Sequence, residues 1–441
     1  MTVGRKLKIL SAVLAALLLS GCSMQMLEDL YRVPRRSEAY NDLQSAIDRG
    51  IGDREYCAPL SGENLQTVQM ADLDGDGIQE YLLFAKGNSD KPLQILIFRL
   101  ENEEYVLSDT IQSTGAAYDV VEYARVDDKP GYELIVGYQI SDQLARSVFV
   151  YSFREGKAVP LMAANYTKFV PYDINADGRS ELMVLHAGES DEASGVAELY
   201  YYTGSAMERS NQASMSETVD QLKRIVAGKL HGGQPAVYVA SAVGESAIIT
   251  DVFAMVDGRF ANVSFSNESG TSVQTLRNYY VYADDIDDDG VVELPNLITM
   301  RSPADLNIAT MQYLIRWYAM TAAGEEVDKL YTYHNFQGGW YMTLDSAWAA
   351  RVAVLQRGNS FEFYVWDEAF SEAQKLMTVY TFTGADREEL SLRDNRFILY
   401  KSDTVMYAAD LDVSSAAYGI TPDLLIKSFH LIHQDWKTGE T

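Results

Sequence analysis

The chain is expected to be all-β, a seven-bladed β-propeller with six or eight blades left open, preceded by a short N-terminal helix. Three observations predict it. An acidic turn between two apolar strands recurs at separations of 48 to 58 residues, a spacing of the kind that propeller repeats show. Each turn is followed by a second apolar or aromatic run, so that a unit of roughly 50 residues supplies four strands. The composition suits a packed domain: 441 residues, 47% hydrophobic, 22% charged, 29 Tyr, 30 Gly and 10 Pro, which excludes collagen-like, coiled-coil and low-complexity classes. A net charge of −27 would repel a phosphate backbone, so no nucleic-acid partner is expected.

The first 21 residues read as an address. Arg5, Lys6 and Lys8 form a basic start, and Ile9 to Leu19 is an apolar run of 11 residues, too short to cross about 30 Å of hydrocarbon. Leu19-Ser20-Gly21-Cys22 follows and resembles the bacterial lipobox, in which the Cys is lipidated and becomes the mature N-terminus. The resemblance implies a lipoprotein signal peptide over 1–21, lipidation at Cys22 with palmitate among the expected acyl groups, and a bacterial cell-envelope location. The membrane is then a partner through the lipid, at the outer face of the cytoplasmic membrane or, in a diderm host, the outer membrane. Residues 22–36 read as the lipidated tether, with Pro34 among charges and no sustained periodicity. With Cys22 assigned to lipid, Cys57 has no intrachain partner, so disulfides are not expected to hold the fold.

Residues 37–59 are expected to form a helix and a lead-in to the main domain. Ser37 is placed to cap it, Tyr40, Leu43, Ala46 and Ile47 share one face, and Gly50 is the expected left-handed stop.

From 60 to 436 the repeats take over. Three turns are nearly complete: Asp72-Leu73-Asp74-Gly75-Asp76-Gly77-Ile78-Gln79-Glu80, Asp173-Ile174-Asn175-Ala176-Asp177-Gly178-Arg179-Ser180-Glu181, and Asp285-Ile286-Asp287-Asp288-Asp289-Gly290-Val291-Val292-Glu293. Two are eroded, Arg125 to Glu133 and Ala227 to Gly233. Two further units keep only the strand rhythm, Trp340 to Phe382 and Leu390 to Trp436, and two stacked β-sandwiches remain the competing architecture.

The complete turns are expected to hold a cation. Alternate oxygens along a tight turn converge, Gly at the sixth position permits the reversal, and adjacent carboxylates repel unless neutralised. A hard ion with six to eight oxygen ligands answers this, and without His or Cys in the turns calcium fits best. The expected ligands are Asp72, Asp74, Asp76, the Ile78 carbonyl and Glu80; Asp173, Asn175, Asp177, the Arg179 carbonyl and Glu181; and Asp285, Asp287, Asp289, the Val291 carbonyl and Glu293. Up to three structural calcium ions follow. In the eroded copies Lys129 and Lys229 are expected to supply the positive charge, with no metal.

These turns resemble the FG-GAP or VCBS repeats of integrin-α-type propellers over most of residues 65–300, with Glu at the ninth position where integrin-type loops usually carry Asp. The resemblance implies a propeller with calcium-binding hairpin loops.

No nucleophile elbow, zinc-protease helix, phosphate loop or Cys-x-x-Cys occurs, so no catalytic residue is assigned. The five His are scattered, and only His430 and His433 are close. Trp317, Trp340, Trp348 and Trp366, with Tyr331, Tyr333, Tyr341 and Tyr364, are expected to pack between blades, with a glycan-stacking surface as the sharper alternative. The expected function is a membrane-anchored binding or scaffold module for a protein or cell-envelope ligand. An envelope polysaccharide hydrolase or lyase built on a propeller is the alternative.

Overall fold

A computed structural model describes residues 38–140, 145–188, 193–279, 281–300 and 313–432. Cys22, the signal segment, the tether, Ser37 and His433 lie outside the described residues.

Helix α1 (Glu38–Ile51) opens the described chain. Blade one contains β1 (Glu55–Tyr56), β2 (Val68–Ala71), β3 (Glu80–Lys86), β4 (Leu93–Glu101) and β5 (Glu104–Ser113), with β1 and β2 both paired to β3. Blade two is β6 (Ala117–Ala124), β7 (Glu133–Gln139), β8 (Arg146–Arg154) and β9 (Lys157–Asn165). Blade three is β10 (Lys168–Tyr172), β11 (Glu181–His186), β12 (Val196–Tyr202) and β13 (Met207–Ser214). Blade four is β14 (Leu222–Lys229), β15 (Pro235–Val243), β16 (Ala247–Val256) and β17 (Arg259–Asn262). Blade five is β18 (Glu293–Thr299), β19 (Tyr313–Met320), β20 (Glu326–Asn335) and β21 (Trp340–Leu344). After α2 (Ser346–Ala349), blade six runs β22 (Val352–Arg357), β23 (Ser360–Trp366) and β24 (Ala373–Thr383). Helix α3 (Arg387–Ser391) follows, then β25 (Phe397–Lys401) and β26 (Val405–Leu411), with β26 pairing β24. Helix α4 (Pro422–Ser428) leads to β27 (Phe429–Leu431), which returns to the edge of β21.

Every named strand pair is antiparallel and almost every connection is local, the meander arrangement of propeller blades. The fold is accordingly all-β, of the β-propeller class. Both faces of a blade are buried, so its strands read as continuous apolar runs. In β3, Leu82 and Phe84 join Tyr118, Val121 and Val136 of blade two in one core, whereas Leu83 and Ala85 pack with Leu43, Ala46 and Ile47 of α1. Further shared cores join blades two and three, three and four, four and five, and five and six. On the face of β24 opposite the blade-five core, Arg396 lies over the Tyr380 ring at 4.2 Å.

Two expectations need correction. Gly50 does not end α1, because the helix continues to Ile51 and the left-handed residue is Gly52 at φ +58°. Gly50 is small for another reason: a Cβ there would meet Phe98 Cζ at 2.7 Å. The described residues form six sheets, within the one-blade latitude of the expected seven. Trp340–Leu344 completes blade five through Tyr331↔Leu344 pairing, and Val405–Leu411 extends blade six through Met377↔Leu411 pairing, so neither founds a separate unit. Successive single sheets stacked in chain order replace the two-sandwich alternative.

Trp317, Trp340, Trp348 and Trp366 are all buried, and Trp340 packs against Phe361 and Phe429. They build the core and offer no stacking surface. Cys57 is half-buried, packs against the core of blades one and two, and has its thiol pKa raised by burial.

Candidate metal centres

The short acidic side chains build the three complete turns by answering backbone donors. Asp72 accepts from the N–H groups of Gly75 and Gly77 at 2.8 and 3.1 Å, Asp173 from Asp177 and Gly178 at 3.0 and 2.9 Å, and Asp285 from Asp289 and Gly290 at 2.9 and 2.8 Å. The sixth-position glycines Gly77, Gly178 and Gly290 have φ of +87°, +88° and +83°, the left-handed conformation expected of them. The fifth-position carboxylates Asp76, Asp177 and Asp289 hold the N–H groups of Ile78, Arg179 and Val291.

A ninth-position glutamate closes each loop from beneath. Glu80 Oε2 accepts from Leu73 N–H at 2.8 Å, Glu181 Oε2 from Ile174 N–H at 3.2 Å and Glu293 Oε2 from Ile286 N–H at 3.2 Å. The eroded second turn keeps the same bond, Glu133 Oε2 to Val126 N–H at 2.7 Å. These glutamates begin inward-facing strands, and Glu80 and Glu293 are only 2% and 0% exposed.

Charge separates the loops. In the first, oxygens of Asp72, Asp74 and Glu80 lie within 4.8 Å of one another, and no ion pair reaches these residues or Asp76 among the described residues. At an effective dielectric of about 20, two unit charges at such a separation repel by roughly 3 kcal/mol. Burial, reinforced by the charges of Asp74, Asp76 and Asp72, raises the Glu80 pKa to about 7 against the opposing Leu73 N–H bond. Asp74 is also raised, chiefly by burial.

The second complete loop is looser. Arg179 pairs with Asp177 at 2.8 Å, Asn175 donates to Glu181 Oε1 at 2.7 Å, and its carboxylates do not form a comparable triad. Burial and then the Asp177 charge still raise Glu181 to about 7.

In the third, Asp285, Asp287 and Asp289 bring oxygens within 4.8 Å of one another. Lys329 of β20 enters this loop, pairing with Asp289 and standing 3.9 Å from Asp287 Oδ2 and 3.7 Å from Glu293 Oε1. Glu293 Oε1 is buried without a hydrogen-bond partner, and burial with the Asp287 charge raises its carboxyl to about 8 despite Lys329.

In the eroded second turn the expected lysine is not the counter-charge. Arg154 of β8 pairs with buried Asp127 at 2.8 Å, and Ser152 donates to the same oxygen, while Lys129 contributes only its backbone N–H. Lys229 has no ion pair among the described residues; its carbonyl accepts from Tyr238 and from Val292 N–H. Arg154 and Lys329 lie on strands distant in sequence from the loops they neutralise, so no local spacing could have revealed them.

The turns also meet across blades. Tyr132 N–H donates to the Asp72 carbonyl, Ser180 N–H to Arg125 and Val292 N–H to Lys229. A Cβ on Gly75 would stand 2.3 Å from Pro130 Cβ of the next turn. Whatever stiffens one acidic loop therefore stiffens a blade junction.

All-oxygen, partly buried carboxylate sets with an orphaned Glu293 Oε1 fit a hard divalent cation. The first loop fits best because none of its carboxylates forms an ion pair among the described residues, Arg99 acting on Asp74 only at a distance while it pairs with Glu101. No helix among the described residues is long and apolar enough to cross a membrane.

No family of known proteins matches this chain, and no curated protein matches it in sequence. Similar solved structures include a protein from Lactobacillus plantarum at 11% identity, covering 72% of this chain and 86% of that one with a TM-score of 0.29. The rhamnogalacturonan lyase YesW shares 11% identity, covering 73% and 83% with a TM-score of 0.30. Sqt1 of Saccharomyces cerevisiae shares 10% identity, covering 80% and 86% with a TM-score of 0.30. No conclusion about activity rests on likenesses of this size.

Proposed function

We propose that the chain is a lipid-anchored extracytoplasmic protein whose blades are stiffened by calcium at the acidic turns and serve as a binding or scaffold module in the bacterial envelope. The lipobox-like Leu19-Ser20-Gly21-Cys22 supports the anchor. The single observation that carries the calcium reading is the first loop, where oxygens of Asp72, Asp74 and Glu80 converge within 4.8 Å of one another and no ion pair reaches them among the described residues. Asp72, Asp74, Asp76 and Glu80 would hold the ion there, and Asp285, Asp287, Asp289 and Glu293 a second one in competition with Lys329. Asp173, Asn175, Asp177 and Glu181 would form the weakest site. Bound calcium supplies fixed positive charge and no reaction step.

The module reading is favoured over catalysis because the sequence holds no nucleophile elbow, zinc-protease helix or phosphate loop. One polar pocket does combine a histidine with a carboxylate, His186 and Glu198, but that carboxylate is engaged by Arg209. Calorimetric titration of the chelator-stripped protein with calcium and then magnesium tests the metal reading; saturable calcium binding that Asp72→Asn weakens supports it, and silence in both titrations refutes it. Incorporation of radiolabelled palmitate into the wild type but not Cys22→Ser tests the anchor.

A further inference from the structure

The strand pair β10–β11 carries an acidic turn at one end, where Tyr172 faces Glu181 in the register, and a polar pocket at the other, where Lys168 faces Leu185. The pocket, about 520 Å³, lies between blades two and three and is lined by the β9–β10 connection, by Arg146 and by His186, Glu198 and Tyr200. Nothing in the metal reading uses it.

We propose that this pocket binds a saccharide unit carrying one carboxylate, with Arg146 as the anchor for the carboxylate and Glu198 and Tyr200 as the sides that receive the hydroxyls and the ring. The inference names a ligand class for the binding module and rests on that reading, but not on calcium.

Arg146 has donors to spare. Its Nε stands 3.5 Å from Asp119 Oδ2 and its Nη1 3.5 Å from the Thr167 carbonyl, both long, and Nη2 has no partner among the described residues. Asp119 is better satisfied by the Tyr166 hydroxyl at 2.6 Å. A guanidinium so placed offers parallel N–H groups to an incoming carboxylate.

Another part of the lining is an acceptor. Glu198 takes hydrogen bonds from Arg209 and from the Tyr200 hydroxyl at 2.9 Å, with His186 Nε2 3.4 Å away. Burial pushes its carboxyl up, but Arg209 and Tyr200 outweigh burial and leave it below the ordinary carboxylate range. An ionised carboxylate with lone pairs to spare receives sugar hydroxyls. The bond to Glu198 fixes the Tyr200 ring, and Asn165 Nδ2 and Thr167 Oγ1, which bond to no protein atom among the described residues, add polar reach. Alternating polar groups and aromatic faces match a pyranose, which has hydroxyl edges and apolar C–H faces. A phosphate dianion fits poorly, since Glu198 lines the pocket and buried Asp119 stands 3.5 Å from Arg146 Nε; a single carboxylate brings only one negative charge to Arg146.

The test uses the detergent-solubilised full chain and a matched pair of probes, methyl β-D-glucuronide and methyl β-D-glucoside, which differ only in the carboxylate. Binding is read by saturation-transfer NMR and calorimetry, with inorganic phosphate as a third probe. The proposal expects saturable glucuronide binding, weakened about tenfold by Arg146→Met, the loss typical of one charged hydrogen-bonding partner, and a similar deficit for the glucoside. Tyr200→Ala should weaken both sugars. Arg146 is part-exposed, so its Met variant keeps the packing stem, and an unchanged calcium response in that variant separates failure of this site from failure of the metal reading. Equal binding of the two glycosides, unaltered binding by Arg146→Met, tighter binding of phosphate, or no saturable binding of either sugar would overturn it.

Discussion

Lys329 Nζ stands 3.7 Å from Glu293 Oε1 and pairs with Asp289, so the third acidic turn carries its own cation. The ammonium occupies the region that an ion would take, and calcium must displace it. Lys329→Met should therefore raise calcium affinity at this turn by up to about fivefold, the scale of one modest ion pair lost from the competing state. Without calcium the same variant should melt lower, because buried Glu293 and its neighbours lose their counter-charge. Calorimetric affinities and melting in chelator check both signs.

In the first turn Asp72 serves the fold and the proposed ion at once. Asp72→Asn keeps an acceptor for one of the two glycine N–H groups and removes the charge. Its apo stability should fall by about 1 kcal/mol, the worth of one hydrogen bond, while calcium binding at that turn should be lost. Denaturant unfolding with and without calcium separates the two effects.

Two glycines separated by one residue should respond differently to alanine. Gly77 has φ +87° with open space around its Cβ direction, so Gly77→Ala should cost only the left-handed penalty of about 1–2 kcal/mol. Gly75 has φ +74° and in addition faces Pro130 Cβ at 2.3 Å, so Gly75→Ala must also push blade two's turn away and should cost clearly more. Chemical unfolding of the pair is the check.

The acidic turns were legible because their chemistry is local: alternate carboxylates, a glycine at the sixth position and a closing glutamate all fall within nine residues. The blades were legible because strands buried on both faces are continuous apolar runs. What sequence could not show was supplied from a distance. Arg154 and Lys329 reach their loops through sheet pairing, and Arg146, His186 and Glu198 meet only because blade three stacks on blade two. Gly50 shows the same limit, since its spacing suggested a helix stop while its actual constraint is the Phe98 ring. The last two units differ from the strand rhythm because β21 and β26 join their sheets through hydrogen-bonding partners that no turn signal announces.

His334 gives a pH prediction independent of the metal. Burial lowers its pKa from 6.5 to about 3, and it stacks on Tyr341 with ring centroids 4.9 Å apart. Between these values the unfolded chain takes up a proton that the folded protein refuses, so stability falls as pH drops below 6.5 and is unaffected above it. The slope from one such group approaches about 1.4 kcal/mol per pH unit. His334→Phe keeps an aromatic ring and should flatten the acid limb of a stability curve between pH 6.5 and 3; parallel curves for the two proteins would refute this.

The most direct test of the calcium account is the melting temperature of the full chain in excess chelator, then after restoring calcium, then magnesium. Binding to the folded state alone stabilises by about 2.7 kcal/mol per site at a hundredfold excess over Kd. The account predicts a lower melting temperature in chelator, recovery with calcium, and little recovery with magnesium. A melting temperature indifferent to chelator and to both ions would contradict it.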